Sequence, residues 1–190
     1  MGDRDTRRFW EALATGRNLI RHELMDDDGT PLSGTVEADE TYIGGYRKGT
    51  MGRGVGKTPV FGMVERKGRV VAVTVPNVKR ATVMPHITQR VLPATMMYTD
   101  EYKVYKRLPQ EGYNHRRINH SAKVYVSGDV HTNTIEGFWS LVKRGIDGVY
   151  HAVSAKHLQG YLNEYAWRYN ARHAPQARFE ALLGRAALGS

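Results

Sequence analysis

The spacing of apolar positions divides the chain into elements before any chemistry is considered. Phe9, Trp10, Leu13, Leu19, Ile20 and Leu24 fall loosely on one side of residues 5–24. That predicts a helix, weakened in its middle by Gly16. The run D-D-D-G-T-P-L-S-G at 26–34 is turn-rich and reads as a linker. A strand follows at about 35–43, and then a glycine-rich basic loop. Two β-branched runs come next, V-F-G-M-V-E-R and R-V-V-A-V-T-V, and Arg66-Lys67-Gly68-Arg69 joins them as a hairpin turn. The first three strands therefore form an antiparallel meander.

Beyond the meander the period changes. Val83, Ile87 and Val91 predict a helix over 81–92, and Thr95 to Thr99 a fourth strand. A helix around 101–110 and a strand around 113–119 follow. Two longer helices, about 133–146 and 154–170, close the pattern. Leu158, Tyr161, Leu162, Tyr165 and Trp167 form the apolar stripe of the last one, and Pro175 ends it. The order β-β-β-α-β-α-β-α-α predicts an α/β fold. Its mixed sheet combines the antiparallel meander with parallel strands and is flanked by helices. That order resembles the ribonuclease H-like fold. The divisions are an N-terminal helix and linker (1–34), the ribonuclease H-like domain (35–173) and a C-terminal tail (174–190).

Composition changes this picture in one respect. A chain of 190 residues with 41% hydrophobic and 25% charged residues is ordinary for one globular domain. A net charge of +9 is not, and it points to a polyanionic partner whose phosphates Lys and Arg can neutralise. The absence of cysteine excludes disulfides and cysteine-based zinc sites. No signal-peptide pattern and no apolar run of roughly 20 residues is present. A cytoplasmic, nucleoid-associated protein with no membrane partner is expected.

Three acids stand out by their settings. Asp39 lies inside the first strand, where Asp is disfavoured. Alternation puts it with Glu37 and Thr41, opposite Val36, Ala38, Glu40 and Tyr42. Asp100 closes the fourth strand, and ligands gather beyond the carboxyl ends of strands. Glu136 begins a late helix, 35 residues beyond Asp100. Three carboxylates at one point can hold two divalent ions, a device that breaks or joins phosphodiester bonds. Asp39 and Asp100 can meet only if strands one and four are neighbours. Glu136 has a second role open to it, because N-x-x-E from Asn133 is a capping box. Lys143 bears on that choice: seven residues are about 700°, so Glu136 and Lys143 share a helix face. An acid holding a metal and a cation two turns on suit a bound phosphate. Lys143 and Arg144 also suit a solvated basic helix end.

Several runs in order resemble a known family. They are D-E-T-Y-I-G-G (39–45), Y-T-D-E-Y (98–102), N-H-S (119–121), H-T-N-T-I-E-G-F-W-S-L-V-K-R (131–144), S-A-K-H-L (154–158) and E-Y-A-W-R-Y-N-A-R (164–172). Together they resemble the catalytic domain of DDE-type transposases of bacterial insertion sequences, over about residues 34–173. The resemblance implies an enzyme that cleaves transposon ends and transfers the strand into target DNA. It implies Asp39, Asp100 and Glu136 as ligands of two Mg²⁺ or Mn²⁺ ions, with Lys143 near the scissile phosphate. Asn133 is a minor alternative to Glu136. It also implies a homo-oligomer on DNA. Members of the family usually carry an N-terminal zinc-binding recognition region, to which the cysteine-free residues before the first strand have no counterpart. A ribonuclease H-like nuclease without strand transfer and a non-catalytic DNA-binding remnant are the competing expectations.

Basic side chains would hold the DNA. Arg47, Lys48, Arg53 and Lys57 come from the loop 44–57, which contains no acid. Lys103, Lys106, Arg107, Arg116, Arg117 and Lys123 form a second stretch, and Lys143 and Arg144 a third group. The run G-R-G-V-G-K-T (52–58) is not a phosphate loop, because position 51 is Met where the motif needs Gly, and Pro59 follows. The histidines are scattered, though His120 and His131 could approach the site. Trp10, Trp139 and Trp167 read as core.

Overall fold

A computed structural model describes residues 29–44, 56–118, 132–150 and 153–173, with a few isolated positions outside them. The expected helix at 5–24 and most of the basic loop 44–57 lie outside the described residues.

Strands β1 (Thr35–Ile43), β2 (Thr58–Glu65) and β3 (Val70–Thr74) are the three runs marked by alternation. Helix α1 covers Arg80–Arg90, β4 Met96–Thr99 and β5 Asn114–Arg117. Helices α2 (Asn133–Gly145) and α3 (Ala155–Asn170) follow, separated by a π-type turn at Ile146–Tyr150. The segment expected as a helix at 101–110 is instead a 3₁₀ helix, Lys103–Glu111, which ends at Gly112 in a left-handed conformation (φ 90°).

The sheet order is β3-β2-β1-β4-β5. β1 runs antiparallel to β2, β2 antiparallel to β3, β1 parallel to β4 and β4 parallel to β5. This is a mixed α/β sheet consistent with the ribonuclease H-like fold. The β2–β3 hairpin turns where expected: the Gly68 amide donates to the Glu65 carbonyl (2.9 Å) and Lys67 takes the positive φ (61°).

β1 is the central strand, and its two faces open onto separate cores. Val36 and Ala38 pack with Phe61, Met63, Met97, Tyr105 and Ile87 of α1. Ile43 packs on the opposite side with Val60, Val64, Phe138, Trp139 and Val142 of α2, and with Leu158 and Leu162 of α3. Of the stripe expected on α3, Tyr161 and Tyr165 join this core, whereas Trp167 does not; Ala166 and Tyr169 occupy that flank. A 3.6-residue repeat carries position 169, not 167, onto the face of 158, 162 and 165.

Edge strand β3 would expose unpaired backbone groups. Polar side chains of α3 satisfy them instead. Asn170 accepts from the Val70 amide (2.7 Å) and donates to the Val70 carbonyl (3.0 Å). Gln159 accepts from the Thr74 amide (2.7 Å) and donates to the Ala72 carbonyl (3.1 Å).

Candidate active site

The parallel register between β1 and β4 builds the site. It pairs Thr35 with Met96 and continues to Ala38 with Thr99. Asp39 and Asp100 are the next residue on each strand, so they stand side by side at the carboxyl end of β4. Asp39 lies on the face covered by α2, opposite Gly62 of β2. Its carboxyl is raised from 3.8 to about 6. Burial is the largest cause, followed by the negative charge of Asp100; Glu136 adds in the same direction. Hydrogen bonds from the Glu40 amide and the Trp139 indole oppose the rise. The indole Nε1–H donates to Asp39 Oδ2 at 3.1 Å.

Asp100 is partly buried, and its Oδ1 accepts from the Tyr102 amide (2.9 Å). Behind it, the Thr99 hydroxyl donates to the Asp100 carbonyl (2.9 Å) and lies 2.9 Å from His115 Nε2. The hydroxyl has one proton, so His115 must be the donor in that contact. Burial and the charge of Arg117 lower the His115 pKa, which favours the neutral ring. No pattern in the sequence singled out His115.

Glu136 lies exposed in the first turn of α2, where its Oε1 accepts from the buried Thr132 hydroxyl (2.8 Å). The capping box from Asn133, the alternative role open to Glu136, does not form. Asn133 is the first helical residue and Thr132 the cap position, with no side-chain cap from Thr132 itself. The cap comes across the fold from Glu37, which is 0% exposed. Its Oε2 accepts from the amides of Thr134 (2.9 Å) and Ile135 (3.0 Å). Its Oε1 accepts from the Thr134 hydroxyl (2.9 Å) and from Arg66 Nε (2.7 Å). A helix N-terminus attracts a carboxylate, and Glu37 reaches these amides from β1. The only sequence signal for this role was alternation, which put Glu37 on the face of Asp39. Glu40, on the other face, accepts from the buried Tyr105 hydroxyl (2.8 Å). That bond ties the 3₁₀ helix to β1.

Among the basic residues, Lys57, Lys143, Arg144, Arg116 and Arg117 are exposed. Lys143 shares the outer stripe of α2 with Glu136 and Ser140, and Arg144 Nε donates to the Ser140 carbonyl (3.3 Å). The register pairs Arg116 with Tyr98 and Arg117 with Thr99. Arg116 therefore falls on the Asp39 side of the sheet and Arg117 on the other. Arg47, Lys48, Arg53, Lys123, His120 and His131 lie outside the described residues. Thr58 opens a strand rather than a helix, as the rejection of a phosphate loop requires.

Among the described residues, no three acids or histidines are grouped closely enough to cage a metal ion. Glu136 is turned towards Thr132 and Asp39 towards Trp139, while Asp100 and Glu136 each repel the Asp39 carboxylate. The donor set nonetheless fits a hard divalent cation: oxygen donors only, with one acid raised to about 6 by burial first and by the charges of Asp100 and Glu136 after it. A cation among them would relieve that repulsion. No helix among the described residues is long and apolar enough to cross a membrane.

Residues 31–170 match the ISXO2-like transposase domain family. A protein of Haemophilus influenzae described as an uncharacterized transposase-like protein is 36% identical over 104 residues, which is 55% of this chain and 83% of that protein. A Halobacterium salinarum protein, described as an uncharacterized protein in transposable element ISH50, is 28% identical over 162 residues. That match covers 76% of this chain and 55% of the halobacterial protein, so the chain spans about half of that relative's length.

Proposed function

The chain belongs to the ISXO2-like transposase domain family, and from that membership we propose that it cleaves DNA at transposon ends and joins the freed strand to target DNA. The observation that carries this is the β1–β4 pairing, which sets Asp39 beside Asp100 under the helix that bears Glu136. Those three carboxylates would hold two Mg²⁺ or Mn²⁺ ions. Such ions, when bound, polarise the phosphoryl oxygen and balance charge on the entering and leaving oxygens.

The chain's own residues do the rest. In the first step water attacks a phosphodiester at the transposon end, and the 3′ oxygen leaves and takes up a proton. In the second step that 3′-hydroxyl attacks a target phosphodiester, loses its proton and displaces a target 3′ oxygen. Asp39, its carboxyl pushed up to about 6 by burial and the charge of Asp100, is still ionised at neutral pH and able to bind a cation. Lys143 and Arg144 at the end of α2, with Arg116 on the same side of the sheet as Asp39, contact the phosphate backbone. Lys57 and the basic loop residues Arg47, Lys48 and Arg53 extend that contact, and Arg117, on the other side of the sheet, adds less to it. Pairing two transposon ends calls for at least two copies of the chain on DNA.

The test is incubation of the protein with labelled candidate element ends and a plasmid target in Mg²⁺ or Mn²⁺. Joined product that disappears in Asp39→Asn supports the proposal. Cleavage without joining makes the protein a nuclease, and binding with neither reaction makes it a non-catalytic remnant.

A further inference from the structure

We propose that Trp139 is a positioning residue whose indole N–H sets the place of the Asp39 carboxylate relative to Glu136. This rests on the assignment of Asp39 and Glu136 as metal ligands made above. The indole bonds Asp39 Oδ2 at 3.1 Å, and Trp139 is 4% exposed, three residues after Glu136 on α2. Its ring is fixed on both sides. Phe138 packs against it at 5.3 Å between centroids. On the sheet it lies over Gly62, where an added Cβ would stand 2.6 Å from ring atom Cη2. No side chain other than hydrogen at position 62 leaves the indole where it is.

The helix is thereby tied to β1 at two points. Glu37 holds the amides of Thr134 and Ile135, and two residues further along the same strand face Asp39 holds Trp139. Glu136 falls between the two ties. A helix fastened one turn apart to one strand is held in register against it, which sets where the Glu136 backbone stands relative to Asp39. A core-filling role for Trp139 would need apolar volume and no donor, so the smaller phenylalanine ring would cost packing without a specific loss at Asp39. The positioning role needs the N–H.

The discriminating variant is Trp139→Phe, which keeps an aromatic ring and removes the donor. Mn²⁺ binding is measured on the DNA-free protein by electron paramagnetic resonance, with thermal unfolding as the check on folding. Loss of an outer-shell partner lowers metal affinity by about tenfold to a hundredfold, and a loss of that order is expected with the fold intact. A folded Trp139→Phe protein that binds Mn²⁺ as tightly as the wild type overturns the positioning role. Asp39→Asn separates the two levels. If it too binds Mn²⁺ like the wild type, the metal-ligand assignment itself fails. If Asp39→Asn loses the metal and Trp139→Phe does not, only the positioning role fails. A second measurement needs no variant at position 139. The three tryptophan indole resonances are assigned through Trp10→Phe and Trp167→Phe, and Mg²⁺ must shift that of Trp139. An unmoved resonance overturns the proposal independently.

Discussion

Asp39 of β1 and Gly62 of β2 are direct partners across the antiparallel pair, and the missing side chain of one makes room for the hydrogen-bond donor of the other. Gly62→Ala is expected to displace the Trp139 ring, since Cη2 would stand 2.6 Å from the new Cβ. Overpacking of this kind costs about 1–3 kcal/mol. Thermal unfolding together with near-ultraviolet circular dichroism checks this. A lower Tm with an altered tryptophan signal is expected, and a variant unchanged in both would show that the ring relaxes at no cost.

Asp39 should also leave a mark on stability against pH. Its folded-state pKa is about 6 against 3.8 for the ordinary carboxyl, so the folded chain holds this proton more tightly than the unfolded one. The protonated acid's stabilising contribution is present in full below pH 4 and is lost as pH rises through 6. Asp39→Asn removes that dependence. It is expected to be more stable than the wild type at pH 7.5, by at most about 3 kcal/mol, and to match it below pH 4. The same variant should lose cleavage and joining while keeping DNA affinity. A stability difference that does not narrow on acidification would contradict the assigned burial and repulsion.

Glu37 is a structural carboxylate two residues from a proposed catalytic one. It accepts two helix amides, a hydroxyl and the Arg66 guanidinium while fully buried. Glu37→Ala leaves Arg66 and the start of α2 without these bonds. Breaking a buried pair costs about 3–5 kcal/mol. Urea unfolding of Glu37→Ala should show that loss. Asp100→Asn, at the partly buried end of β4 where an amide oxygen can still accept from Tyr102, should unfold close to the wild type. Equal stability of Glu37→Ala and wild type would remove Glu37 from the clamp.

Arg116 and Arg117 are neighbours in sequence on opposite sides of the sheet. Arg116→Ala and Lys143→Ala are each expected to weaken DNA binding uniformly across sequences. Each should lower the slope of log K against log salt by about 1. Arg117→Ala should change that slope less, because Arg117 falls on the side away from Asp39. Fluorescence anisotropy between low and moderate salt measures all three, and an Arg117 effect equal to that of Arg116 would break the assignment by faces.

Much of this was legible along the chain because it is local. Alternation in T-V-E-A-D-E-T-Y-I marked β1 and put Glu37 and Asp39 on one face, as observed. Val83 and Ile87 marked the buried side of α1. The element order implied the sheet, and Asp39 and Asp100 could meet only if β1 and β4 were neighbours, which they are. The capping box left open at Asn133 is a local rule, and the helix is capped instead by Glu37, 97 residues before Thr134. Trp139 was expected as core, and it is buried, but its bond to Asp39 spans 100 residues and leaves no trace in spacing.

The sequence by itself determined the periods, the strand faces, the excess of positive charge and the three acids, since each follows from nearest-neighbour geometry or from composition. Only the tertiary structure decided which donor each carboxylate received, which arginine shares the face of Asp39, and that Gly62 is space for an indole. Hydrogen bonds and steric exclusion act over about 3–4 Å between groups far apart in the chain, so their pairing exists only once the sheet and α2 have closed on each other.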